Sequence, residues 1–306
     1  MKSLILIFGL MVLLFGCVGT PETGAPQETT APSGTEEETG GEVVDIPVGE
    51  SAETAVESQE TEPEETPEPE PEPEPVVETS ELDELEQKEM KFDAKDGWDI
   101  YGTVYYTDTK QPSTLIILVP MLGADRTSYD ELIVPLHEEI PYADIIAIDA
   151  RGHGKSTNLG EYADFQTGDF RAMKNDLDAV VTYYTVTRPS IDTYYLVGAS
   201  AGSSGCLAYA EEHDAVSKVV MISPGMEYQG FDITEYAEEY LHELYLMAGE
   251  DDSYSATSAN TIYSISPSDT KEKKIYDGIE AHGTELFSAT ESYPDSAVDV
   301  IVKWVK

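Results

Sequence analysis

Ser200 is the strongest candidate for a reactive residue, because it lies between small residues in Gly198-Ala199-Ser200-Ala201-Gly202. This segment follows the apolar run 195–197 and opens a stretch of small residues that favours a helix. A tight strand-to-helix turn holds such a serine in a strained conformation with its hydroxyl exposed. The N-terminus of the helix directs free N–H groups toward developing negative charge. The pattern predicts a nucleophilic serine; a non-catalytic or phosphate-binding turn is the alternative.

A serine nucleophile needs a base, and the base needs a carboxylate that orients it. Among five histidines, His282 has the best position, after the last predicted strand and before the last predicted helix. Asp251 and Asp252 follow the fifth predicted buried strand, and both could face the site. A hydrated acidic turn is the alternative interpretation of this pair, since the whole chain is acidic. No metal-binding or cofactor-binding motif occurs, and a serine mechanism needs neither.

Strands that alternate with helices must position these residues. Continuous apolar runs and one hairpin predict eight strands, at 90–92, 98–107, 114–120, 144–150, 194–199, 218–223, 244–249 and 273–277. Apolar stripes and capping residues predict helices at 128–139, 169–186, 200–212, 233–244 and 296–305. This alternation implies a mostly parallel sheet of about eight strands with helices on both faces, opened by an antiparallel hairpin. No insertion is long enough for a large lid.

Four segments occur in a characteristic order and spacing. They are 118–123 (LVPMLG), 149–156 (DARGHGKS), 198–202 (GASAG), and 248–252 (AGEDD) together with 282–283 (HG). The pattern D-x-R-G-H-G-x-S is the most specific of them. With these motifs, residues 90–306 resemble compact α/β-hydrolases of the esterase and dienelactone-hydrolase type. The resemblance implies the α/β-hydrolase fold without a large lid.

The resemblance also implies a role for each matching residue. Ser200 is expected to be the nucleophile, Asp252 the acid and His282 the base. In the family the acid usually stands three residues after the glycine, which selects Asp252 over Asp251. His153, in the D-x-R-G-H-G-x-S segment, is expected to structure a loop and to take no part in catalysis.

An oxyanion hole of backbone N–H groups should accompany this triad, because a tetrahedral intermediate places negative charge on the carbonyl oxygen. Ala201, next to the nucleophile, is one expected donor. Leu122 is the second, with Met121 as an alternative one register earlier; here Pro120-Met121 replaces the His-Gly pair common in the family. Three aromatic residues could line the pocket, with ordinary core or surface positions as the alternative: Tyr228, Phe231 and Tyr254.

The N-terminal part differs in composition from the rest of the chain. Residues 1–17 read as a secretory signal that ends in Leu14-Phe15-Gly16-Cys17, which resembles the lipobox of lipoproteins, so Cys17 is the predicted lipidation site. An uncleaved signal anchor is the alternative. Residues 18–88 contain no aromatic residue and are rich in Glu and Pro, which predicts a disordered acidic tether. Residues 89–306 are then the hydrolase domain.

The charge of the chain excludes some functions. The net charge is −44, and residues 90–306 alone hold 37 acidic and 15 basic residues. An acidic surface argues against nucleic-acid binding and against electrostatic docking to anionic lipid. We therefore expect an extracytoplasmic, membrane-anchored serine hydrolase that cleaves an ester or thioester of a small or medium acyl group. An acyltransferase or peptidase with the same triad, or a catalytically silent surface-binding module, remains an alternative.

Overall fold

An eight-stranded sheet is the centre of the computed structural model, which describes residues 80–306. Its strands are β1 (Gln87–Asp93), β2 (Asp99–Tyr105), β3 (Thr114–Val119), β4 (Ala143–Asp149), β5 (Thr193–Ala199), β6 (Val216–Ile222), β9 (Glu243–Gly249) and β10 (Lys271–Tyr276). A separate hairpin of β7 (Glu227–Tyr228) and β8 (Phe231–Asp232) lies between β6 and β9 in sequence. The sheet order is β1-β2-β4-β3-β5-β6-β9-β10. In the eight-stranded sheet, β1 and β2 pair antiparallel, as do β2 and β4, and all other pairs are parallel.

Helices cover both faces of this sheet, as predicted. They are α1 (Asp130–Glu139), α2 (Thr167–Ala172), α3 (Lys174–Thr187), α4 (Ala201–Glu211), α5 (Thr234–Glu239), α6 (Ser253–Ile265), α7 (Leu286–Ala289) and α8 (Ala297–Val305). Helices α2 to α6 contribute to the apolar core on one face, and α1, α7 and α8 to the core on the other. No helix within residues 80–306 is long and apolar enough to cross a membrane.

The structure differs from the predicted elements on the face that carries α2 to α6. The single helix predicted at 169–186 is divided at Met173 into α2 and α3, and α5 is shorter than the predicted 233–244 helix. Helix α6 was not predicted, because its sequence SYSATSANTIYSI is dominated by small and polar residues that give a weak helical pattern. It nevertheless buries Ala259 and Ile262 against the sheet.

The first described residues extend the ordered part beyond the predicted boundary at residue 89. A 3₁₀ turn spans Glu81–Glu84, and β1 begins at Gln87. Leu82 and Leu85 are partly buried against the core beside α1, which explains why this segment is ordered despite its acidic composition. The predicted signal, Cys17 and the tether up to residue 79 lie outside the described residues.

Candidate active site

Ser200 occupies the sharp turn between β5 and α4, with φ +48° and ψ −121°. A positive φ strains a non-glycine residue by about 1–3 kcal/mol. The glycines on either side are needed for close packing. A Cβ at Gly198 would lie 2.6 Å from Ser203 Cα, and one at Gly202 would lie 2.4 Å from the carbonyl oxygen of Pro120. The small residues seen in the sequence therefore allow β5, α4 and the end of β3 to meet at Ser200.

Hydrogen bonds to neighbouring strands hold this turn in place. The Ser200 N–H donates to the carbonyl oxygen of Ile222 at 2.8 Å, which ties the turn to the end of β6. The buried Tyr129 hydroxyl lies 2.8 Å from the carbonyl oxygen of Val119 and 3.2 Å from that of Val197, so it bridges β3 and β5 just below the turn. These bonds stabilise the backbone in the strained conformation.

His282 and Asp252 form a hydrogen-bonded pair across two loops. His282 Nδ1 lies 2.7 Å from Asp252 Oδ2, and the imidazole side chain is 43% exposed against 14% for the carboxylate. Asp252 also caps α6, where a negative charge is favourable. Asp251 is exposed, and its N–H donates to the carbonyl oxygen of Ile279. A proton on Nδ1, shared with Asp252, leaves His282 Nε2 free to act as a base.

Ser200 and His282 line the same cavity, which has a volume of about 180 Å³. Its other lining residues are Ala201, Ser204, Ser223, Gly225, Glu227, Tyr228, Tyr254 and Ser255. Within the described residues Ser200 and His282 form no hydrogen bond with each other, and such bonds often tighten only when substrate binds. Two of the aromatic residues predicted to line the pocket, Tyr228 and Tyr254, do so. Phe231 does not, because its ring is buried in the core.

The predicted oxyanion donors lie near the serine turn, but the structure does not bring all of them to the cavity. Ala201 is the first residue of α4, so its N–H has no partner within the helix, and it lines the cavity. The Pro120 loop packs directly against Gly202 of the turn. Neither Met121 nor Leu122 lines the cavity. The assignment of the second oxyanion donor to Leu122, with Met121 as the alternative, stays a prediction.

Ser223 is a site residue that the sequence analysis did not identify. It is buried, has φ +48°, and donates its N–H to the carbonyl oxygen of Met247. Its hydroxyl oxygen accepts a hydrogen bond from the N–H of Gly283 at 2.9 Å. Ser223 thus links the end of β6 to the residue that follows His282. The only available signal was its position at the end of a predicted strand next to the Ser200 strand.

Replacing Ser223 by alanine should lower the kcat of a reaction that uses His282 as its base by about 10- to 100-fold, because the loop that carries His282 loses its anchor. The buried Gly283 N–H would also lose its acceptor, at a cost of about 1–3 kcal/mol. Steady-state kinetics and thermal unfolding of Ser223→Ala and Ser223→Gly separate the loss of kcat from the loss of stability. Glycine tolerates the positive φ but also lacks the hydroxyl, so we expect Ser223→Gly to be more stable than Ser223→Ala while its kcat stays low. Wild-type kcat in both variants would contradict the positioning role.

The D-x-R-G-H-G-x-S segment has a structural role near the site. The buried guanidinium of Arg151 pairs with Asp176 at 2.7 Å and with Asp96 at 2.8 Å. His153 Nδ1 lies 2.8 Å from the carbonyl oxygen of Arg151, and its ring stacks on Tyr162 with centroids 4.6 Å apart. Burial lowers the pKa of His153, which favours the neutral imidazole. His153 does not line the cavity that contains Ser200 and His282.

Comparisons with known proteins agree with this architecture. Residues 114–253 match the family model described as alpha/beta hydrolase fold. The esterase Pf2001 of Pyrococcus furiosus has a similar structure, with a TM-score of 0.58 and 17% identity over 76% of this chain and 97% of that one. A carboxyl esterase from Bacillus coagulans gives a TM-score of 0.58 and 16% identity over 72% of this chain and 97% of that one. No curated protein matches the sequence.

A third solved structure, a cold-adapted esterase from an Arctic intertidal metagenomic library, gives a TM-score of 0.56. It is 15% identical over 72% of this chain and 94% of that one. Sheet order, serine turn and family match together show that this chain has the α/β-hydrolase fold, as predicted. Within that fold it resembles compact esterases, and no large lid interrupts the described residues.

Proposed function

We propose that this chain is a serine hydrolase that cleaves a carboxylic ester or thioester through an acyl-enzyme on Ser200. The observation that carries the proposal is the 2.7 Å hydrogen bond between His282 Nδ1 and Asp252. The same His282 shares a cavity with the strained Ser200. A histidine that is oriented by a carboxylate and shares a cavity with a partly exposed serine is the arrangement that can activate the serine hydroxyl.

The proposed reaction gives each of these groups a defined role. His282 Nε2 takes the proton of Ser200 Oγ as the oxygen attacks the carbonyl carbon, and Asp252 stabilises the resulting imidazolium. The oxyanion of the tetrahedral intermediate accepts a hydrogen bond from Ala201 N–H and from a second N–H of the loop at 121–122. When the intermediate collapses, His282 gives its proton to the leaving oxygen or sulfur. Water then attacks the acyl-enzyme with His282 as base and releases the acid and free Ser200.

A fluorophosphonate probe tests this proposal directly, since it reacts with activated serines and traps them covalently. We expect mass spectrometry to find the label on Ser200 of the wild-type chain and to find none in His282→Ala. A folded wild-type chain that takes no label would contradict the hydrolase proposal. It would favour the alternative of a surface-binding module with this fold.

The place of action is a separate part of the proposal. The lipobox-like segment that ends at Cys17 supports attachment to the outer face of the membrane through a lipid on Cys17, with the acidic segment as a spacer. We expect the full chain to partition with membranes on cell fractionation and Cys17→Ala to lose this association. Membrane association that survives the substitution would instead indicate an uncleaved signal anchor.

A further inference from the structure

Tyr254 forms one wall of the catalytic cavity and is held there by its hydroxyl. It lies in the first turn of α6, two residues after Asp252. Its hydroxyl donates to the carbonyl oxygen of Glu227 at 2.6 Å and accepts from the N–H of Glu227 at 3.1 Å. Both backbone groups of one residue in β7 therefore hold the end of the tyrosine side chain. The ring consequently spans the gap between α6 and the β7–β8 hairpin.

The β7–β8 hairpin is itself fixed on its far side by α2. Its turn residues, Gln229 and Gly230, have φ +47° and +82°, as a tight two-residue hairpin turn requires. The carbonyl oxygen of Gln229 accepts a hydrogen bond from Thr167 Oγ1 at 2.6 Å. The rings of Tyr228 and Phe170 pack edge to face, with centroids 5.0 Å apart. The hairpin is thus held between α2 and Tyr254, so Tyr254 binds to a fixed support.

The space inside this wall is small. A Cβ at Gly225 would lie 3.0 Å from Tyr254 Cε1, so the ring packs directly against the glycine. The cavity of about 180 Å³ is below the roughly 300–1,000 Å³ of pockets that hold drug-sized ligands. Tyr254 is 53% exposed, so its outer side faces solvent. Truncating it would open the cavity to solvent with little loss of core packing.

We propose that Tyr254 is a specificity-determining residue, which closes the cavity and restricts the substrate group that enters it to a short one. The inference rests on the proposed ester hydrolysis at Ser200 and adds the size class of the substrate. The hydrogen bonds to Glu227 are the feature that makes Tyr254 a fixed wall, since an unattached ring on the surface could turn aside.

Two ester series test this inference with wild type, Tyr254→Ala and Tyr254→Phe. One series varies the acyl group of p-nitrophenyl esters from acetyl to octanoyl, and the other varies the alcohol of acetate esters from ethyl to octyl. We expect wild type to favour the short member of at least one series by tenfold or more in kcat/KM. Tyr254→Ala should reduce that preference at least about tenfold, chiefly by lowering KM for the long ester. Tyr254→Phe keeps the ring without its hydrogen bonds, so its length preference should lie between those of wild type and Tyr254→Ala.

The control is Tyr183→Ala, an exposed tyrosine on α3 outside the cavity lining. It should leave both length profiles unchanged. If wild type cleaves esters but Tyr254→Ala keeps the same profile in both series, the inference on Tyr254 is wrong and ester hydrolysis stands. If wild type shows no length preference in either series, the inference also fails. If folded wild type cleaves no ester, the proposed function itself fails.

Discussion

Replacement of Ser200 by alanine is expected to lower kcat/KM for p-nitrophenyl acetate by at least about 10⁴-fold. Without Oγ the variant cannot form an acyl-enzyme, so only substrate binding and oxyanion stabilisation can still contribute to catalysis. Fluorophosphonate labelling should disappear together with hydrolysis. The change should leave the fold intact, because the Ser200 N–H still donates to Ile222 and the alanine is close in size. Thermal unfolding measures that directly.

Ser264→Ala provides a control for this variant, because it removes a serine hydroxyl from the exposed side of α6, outside the cavity lining. Its kcat/KM should stay within about twofold of wild type, as for most surface substitutions. Hydrolysis that persists in folded Ser200→Ala would place the nucleophile elsewhere. In that case the strained turn would have to be explained by packing alone.

Replacement of Asp252 by asparagine is the second prediction with a large effect, a fall in kcat of about 10⁴-fold. The amide cannot stabilise an imidazolium, and its NH₂ group can donate to His282 Nδ1 and place the proton on Nε2, which then cannot act as a base. The residue next to it offers a matched control. Asp251→Asn makes the same chemical change at an exposed carboxylate that does not contact His282. We expect it to keep kcat within about twofold of wild type.

A pH profile of kcat on both asparagine variants separates electrostatic from structural effects. Asp252→Asn should recover part of its activity at high pH, where a hydroxide ion can replace the missing base, whereas Asp251→Asn should follow wild type. Equal losses in the two variants would show that the acidic loop acts through its overall charge. Loss in Asp251→Asn alone would assign the acid to the other aspartate.

Local patterns in the sequence were sufficient to predict the sheet and the serine turn. Each buried strand is a continuous apolar run, since both of its faces are covered, and such runs mark strands such as β3 and β5 without knowledge of their neighbours. The glycines at 198 and 202 indicate a close approach of backbone segments, because any side chain at these positions would block it. These signals depend on a few adjacent residues, which is why they predicted the alternating strands and helices and the mostly parallel sheet. The α/β-hydrolase fold itself was predicted from the resemblance of four motifs to that family.

Tertiary structure alone decided which side chains meet. Sequence reasoning left Asp251 and Asp252 open until the family resemblance selected one; only the folded loop shows that Asp252 reaches His282, thirty residues later, while Asp251 is exposed. The positions of Ser223 and Tyr254 were likewise decided by tertiary structure, because each side chain forms a hydrogen bond with a backbone group of a distant segment. Backbone N–H and C=O groups are present at every residue, so composition and spacing do not indicate which of them will be used. Their pairing is determined when the strands align and bring the loops at their carboxyl ends together.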